Sequence, residues 1–320
     1  MTRIFGHANY DFIASRRKAI IATIILALIG LISLVAKPIN YSIEFTGGTQ
    51  VEFQAAAGTV VDVAALRAGL DQAGIHGAEI TAFGTNEHVI RARTAVKGSD
   101  ADNTATTSKA VAGALDAVVG AGKWTRTQAQ AVGPKVGGEL RSKAFLAIFL
   151  SFFAVLAYLA YRFEWRFGVA AVIATAHDIV LTICFISIVR MEVSLIVVAA
   201  VLSMVGYSLN DTIIIFDRVR ENLHKYRRDQ LVTVLNRSIN ETLPRSVLTH
   251  ATTLATLGAL AILGGEVLRP FALVMFFGVF TGTFSSIFIA PPVLLYIEQR
   301  WPGMDGRGVK LKPRAMPGTV

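Results

Sequence analysis

At 320 residues, with 53% apolar but only 17% charged side chains, the chain carries less charge than the about 25% of ordinary soluble domains. Its mean hydropathy is +0.54 and its apolar residues come in blocks, which argues against a soluble enzyme. The net charge is +9, and the single cysteine excludes an intramolecular disulfide, so any soluble part is held by its own core.

A bilayer core is crossed by about 20 apolar residues. Six such runs are present: Ala19–Ala36, Ala144–Tyr161, Phe167–Val189, Val193–Phe216, Ser246–Leu263 and Phe271–Ile297. The first follows a basic segment over residues 1–18 and ends in the weak small-residue pattern Leu34-Val35-Ala36. It is longer than the roughly 7–15 residues of a secretory h-region and reads as a retained signal anchor.

Residues 37–143 form a polar insertion of short elements. Thr49–Gln54 alternates as a half-buried strand does, and Val61–Gln72 places its apolar residues near one helical face. Ala78–Phe83 and His88–Thr94 read as strands around Gly84-Thr85-Asn86, and Val96–Thr107 as a linker. Ser108–Val119 reads as a helix and Trp124–Ala131 as a last strand. The order β-α-β-β-α-β predicts a ferredoxin-like α+β domain. His76 and His88 are isolated, and no metal-ligand spacing, phosphate loop or nucleophile constellation appears. The reading is a binding or mechanical element without catalytic residues, metal or organic cofactor.

An ionisable side chain at the centre of a span costs about 2.5–3.5 kcal/mol or more and needs a reason. Candidates are His177 and Asp178 in the third span, Asp211 in the fourth, and Arg245 and His250 at the entry to the fifth. Asp211 and Arg245 approach one depth from opposite directions, so an intramembrane ion pair is expected, one that protonation of the Asp would release. Pairing of Asp211 with Arg218 or Arg245 at the headgroup boundary is the static alternative. For His177 and Asp178 a fixed interhelical hydrogen bond is expected, and Asp217 reads as a solvated residue at the membrane edge. Cys184 reads as a small packing residue, and Gly278 and Gly282, a GxxxG pair, as a close helix contact. Pro291 and Pro292 should kink or end the sixth span. Residues 217–245 form a basic loop, of which Glu221–Glu241 would lie on the inner membrane surface as an amphipathic helix. Residues 298–320 form a basic, disordered tail.

Short loops on one side hold 18 basic residues, against only Arg190 and Arg269 on the other. The positive-inside rule puts both termini in the cytoplasm and the inserted domain outside. Topology and anionic membrane lipids account for the basic excess, and nucleic acid is excluded as a partner.

Several segments are recognisable together: YDFIASRRKAII, SIEFTGGTQVEF, HDIV, VGYSLNDTIIIFDRVREN and INETLPRSVLTHATTL. With this order and length the chain resembles the SecF branch of the SecD/SecF protein-export membrane protein family. Glu44 stands where that family is expected to have Asp. The resemblance implies a subunit of the bacterial inner membrane that helps the Sec translocon channel export unfolded preproteins, using the proton-motive force. It implies a SecD-like partner, an architecture similar to half of an RND-type transporter, and a proton-relay role for Asp211 and Arg245. Two alternatives stay open: an RND-type half-transporter exporting a small molecule, and a purely structural membrane subunit.

Overall fold

The computed structural model describes residues 9–75, 78–83, 87–92, 100–162 and 164–302. His76, the turn at 84–86, residues 96–99 of the expected linker and the tail from 303 lie outside the described residues. The chain divides into two compact units.

One unit comprises Ile39–Phe149 and Glu192–Val198. Its elements are α2 (Ile43–Thr46), β1 (Gly48–Ala55), α3 (Val63–Gln72), β2 (Glu79–Phe83), β3 (Glu87–Ala92), α4 (Asp100–Leu115) and β4 (Trp124–Val132). The strands form one antiparallel sheet in the order β2-β3-β1-β4, so β1 and β2 run parallel with β3 between them. Strand β1 alternates between buried Val51 and Phe53 and more open Gln50, Glu52 and Gln54, the pattern of a sheet with one covered face. That face meets Leu66 and Leu70 of α3 and Val111 and Leu115 of α4. Asp62 caps α3, accepting from the N–H groups of Ala64 and Ala65 at 2.9 and 3.1 Å.

The expected linker is helix from Asp100 onward. Buried Thr107 continues the stripe of Val111 and Leu115 at four-residue spacing, and a threonine at that place conceals the stripe from a hydropathy reading. His88 falls in β3.

The FTGG segment is a tight junction. Gly47 and Gly48 have φ of 75° and 142°, values that side chains rarely allow. A Cβ on Gly137 would meet the Gly47 nitrogen and the Glu44 carbonyl oxygen. Ser42 N–H donates to the Val193 carbonyl at 2.9 Å, and Val193 N–H to the Asn40 carbonyl at 2.7 Å. The Glu44 carboxylate accepts from the Leu195 N–H at 2.6 Å, a negative charge on the first turn of the helix that begins there.

The other unit comprises Met1–Pro38, Leu150–Met191 and Ala199–Val320. Its helices are α1 (Arg16–Ala36), α5 (Pro134–Arg162, which begins in the first unit), α6 (Trp165–Val189), α7 (Leu195–Lys225), α8 (Leu231–Leu263), α9 (Gly265–Phe288) and α10 (Ala290–Arg300). Among the described residues six stretches are long and apolar enough to cross a membrane, the last running through α9 and α10.

Helix bounds differ from the apolar runs in an instructive way. Helix α5 starts at Pro134 rather than Ala144, since a proline suits the first turn and the next residues are polar but helical. The expected loop over residues 217–245 is not a loop, and only residues 226–230 join α7 to α8. Nor does its apolar face lie on the membrane surface: Val234, Leu235 and Ile239 are buried within the protein. Arg218 of α7 joins the two helices through Glu241 of α8 at 2.6 Å and also bonds to Glu221 on its own helix at 2.6 Å, while Asn222 donates to Glu241 at 2.7 Å. The sixth span breaks at Ile289, and Pro291 and Pro292 lie in the first turn of α10.

Small residues set the close contacts. A Cβ on Gly30 of α1 would collide with buried Cys184 of α6, and one on Gly278 or Gly282 of α9 with Met204 or Ser208 of α7. Arg190 ends α6 and donates to the Pro38 carbonyl at 2.7 Å. The N-terminal segment is pinned to α8. Tyr10 exchanges two backbone bonds with the Asn240 amide at 2.9 and 2.8 Å, and Asn236 donates to Asp11 at 2.8 Å.

Candidate functional site

Among the described residues two aspartates are buried in the apolar bundle: Asp178 of α6, 0% exposed, and Asp211 of α7, 4% exposed. Neither faces a counter-ion of the Lys or Arg type among the described residues; each is held by serine hydroxyls. Ser246 of α8 donates to Asp211 Oδ1 at 2.6 Å, and Ser286 of α9 to Oδ2 at 2.5 Å. Ser208 of α7 and Ser285 of α9 donate to Asp178 Oδ2 at 2.5 and 2.6 Å. Such short O–H···O⁻ bonds are of the charge-assisted kind, and they supply what an apolar surrounding withholds from a carboxylate.

Local sequence makes the arrangement. Ser208 and Asp211 are three residues apart on α7 and share a face. Ser285 and Ser286 are consecutive, about 100° apart around α9, so one reaches toward α6 and the other toward α7. Gly282, one turn before them, lets α9 approach Ser208 closely.

The expected Asp211–Arg245 ion pair is not formed. Arg245 is exposed, and its neighbour Ser246 holds the carboxylate instead. Arg218 does not reach Asp211 either, being engaged by Glu221 and Glu241. Similar depth was a sufficient clue to bring α8 beside Asp211 but gives no azimuth. His177 Nδ1 lies 3.0 Å from Asp178 Oδ1, and its Nε2 is buried without a hydrogen-bond partner among the described residues. His250 packs edge-on against Tyr207 with ring centroids 5.6 Å apart. It touches neither aspartate through a hydrogen bond among the described residues. Asp217 is exposed.

The four serines were the residues that sequence reasoning missed. None of Ser208, Ser246, Ser285 and Ser286 is singled out by the apolar pattern of the spans. Their signal was present: Ser208 lies one turn before Asp211, and Ser246 directly follows Arg245. Among the described residues no group of three or more His, Cys, Asp or Glu side chains could hold a metal ion.

Residues 113–300 match the family described as protein export membrane protein SecD/SecF, C-terminal, and residues 32–63 match the SecD/SecF GG motif. The protein translocase subunit SecF of Gemmatimonas aurantiaca is 52% identical over 98% of this chain and 95% of its own length. That of Magnetococcus marinus is 41% identical over 91% of this chain and 92% of its own. The crystal structure of SecDF from Thermus thermophilus, a translocon-associated membrane protein, superposes with a TM-score of 0.81 at 36% identity. This chain is covered to 92% there and spans 39% of the SecDF chain. The GG-motif junction and the bundle that carries both aspartates fall within these matches, and the chain belongs to the SecF family of protein-export membrane proteins.

Proposed function

We propose that this chain is an accessory subunit of Sec protein export in the bacterial inner membrane and that it converts proton movement past Asp211 into motion. Both termini lie in the cytoplasm, and the α+β unit lies outside, where it holds an emerging, unfolded preprotein beside the translocon channel. A SecD-like subunit supplies the remaining helices, in keeping with the 39% of the SecDF chain that this chain spans.

The observation that carries the proposal is the Asp211 carboxylate, buried and held by hydroxyls from two other helices at 2.6 and 2.5 Å. A proton on Asp211 removes the charge these bonds serve and loosens α7 from α8 and α9. Arg245 and Ser246 are consecutive, about 100° apart around α8, so a rotation of α8 exchanges the hydroxyl for the guanidinium beside Asp211. That gives two discrete arrangements, one with serine donors and one with an ion pair. The membrane field supplies about 2.3 kcal/mol per charge per 100 mV, enough to bias such a pair of states.

The test is preprotein translocation into vesicles under an imposed proton gradient, at equal assembly with the partner subunit. Asp211→Asn is expected to abolish the response to the gradient, and Arg245→Met to reduce it. A gradient response in Asp211→Asn equal to wild type rejects the mechanism.

A further inference from the structure

We propose that Asp178 is a second proton-carrying carboxylate of the bundle, coupled to Asp211 through the adjoining Ser285 and Ser286 of α9. The proposal rests on the proton-coupled reading of Asp211 and extends it.

The two sites are built alike. Each carboxylate is buried, and each receives two short serine bonds, one of them from α9. A fixed bridge between helices could be made by neutral amides or hydroxyls, without the cost of a buried ionisable group. Asp178 is also the more deeply enclosed of the two.

Both α9 serines have a second acceptor on their own helix. Ser285 Oγ lies 3.3 Å from the Gly282 carbonyl oxygen, and Ser286 Oγ 3.0 Å from that of Thr283. A serine has one hydroxyl hydrogen, so it can serve only one acceptor at a time. With the carboxylate ionised, the hydrogen points to Asp. When Asp takes up a proton, its new O–H donates to the serine oxygen and the serine hydrogen turns back to the α9 carbonyl. One proton is taken up and no other is gained or lost. The bond across the helix interface then has its direction reversed, and α9 registers the change.

The sites are connected twice. Ser208, a donor to Asp178, lies one turn before Asp211 on α7, while Ser285 and Ser286 are adjacent on α9. Protonation of one aspartate therefore alters the donors beside the other. The nearest other titratable group is His177, with Nδ1 at 3.0 Å from Asp178 Oδ1. Residues 19–36 of α1 and 271–288 of α9 contain no Asp, Glu, His, Lys or Arg. On α10 the nearest such residue is Glu298, which pairs with Arg166 near the start of α6.

Infrared difference spectra between acidic and neutral buffer, recorded on the chain with its partner subunit in lipid vesicles, read protonated carboxyls directly. Asp211→Asn is expected to retain a buried carboxylic-acid band that the Asp211→Asn, Asp178→Asn double variant lacks. Under an imposed proton gradient, Asp178→Asn is expected to lose gradient-driven export at equal assembly. Superimposable spectra of the single and double variants, or wild-type export by Asp178→Asn, overturn the proposal and leave Asp178 a fixed hydrogen-bond hub. If Asp211→Asn also exports like wild type, the underlying proton reading fails as well, which separates the two failures. Should Asp178→Asn not assemble, Ser285→Ala decides, because it leaves both carboxylates: a shifted pH profile of export supports the proposal and an unchanged one overturns it.

Discussion

A hydrogen bond to a charged group is worth roughly 1.5–3 kcal/mol, so each of the two hydroxyls on Asp211 matters to its ionised form. Ser286→Ala is expected to weaken gradient-driven export severalfold, whereas Ser286→Thr, which keeps the hydroxyl, restores most of it; vesicle export assays compare the two. Asp211 itself was legible in the sequence because a carboxylate among apolar residues stands out. Its partners were not, because serine is common in membrane helices and usually bonds back to its own turn, as Ser286 also can toward Thr283. The failed Asp211–Arg245 pairing has a geometric cause. Counting residues from the membrane edge gives a depth, and adjacent residues share a depth while pointing about 100° apart.

Asp11, outside the spans, titrates below its ordinary value of 3.8, chiefly because the Ala14 N–H donates to it and secondarily through the Asn236 amide. A depressed carboxyl contributes stability above its ordinary value and loses it as pH falls through the lowered one. Hydrogen-exchange protection at Ala14 is therefore expected to hold at neutral pH and to fade only in acid below 3.8.

Among the elements, the seam between α1 and α6 depends on a missing side chain. Gly30→Ala forces a Cβ into Cys184 and is expected to cost roughly 1–3 kcal/mol, seen as a lower Tm in detergent. Cys184→Gly in the same chain should recover part of that loss, since it removes the atoms that collide. At the N-terminal junction, Asn240→Ala deletes two bonds to Tyr10, a loss of about 1–2 kcal/mol, and limited proteolysis should then cut before α1. Hydropathy located the spans well but stopped short of the helix ends. Polar residues carry α5, α7 and α8 beyond the apolar runs, and only packing, such as buried Val234, Leu235 and Ile239, shows that the helices go on.

For the whole molecule, the α+β unit has a core of its own, with Phe53, Leu66, Leu70, Ile90, Val111 and Leu115 nearly or fully enclosed. A fragment of residues 39–133 is expected to fold alone and to unfold in one cooperative transition by circular dichroism. The alternating strands made this unit readable from sequence, while the first half of α4 was hidden by threonines. Phe145, Leu146, Phe149 and Phe153 of α5 are exposed; hydropathy locates such a helix but does not distinguish a lipid-facing side from a protein-facing one.

The length of α7 has a mechanical consequence. From Asp211 to Lys225 the helix runs uninterrupted for about 21 Å at 1.5 Å per residue. Pivoting at the carboxylate by about 10° would carry its far end some 4 Å, by the same rise per residue. A displacement barely perceptible beside Asp211 thus becomes, at the tip of this lever arm, a stroke about as wide as a side chain.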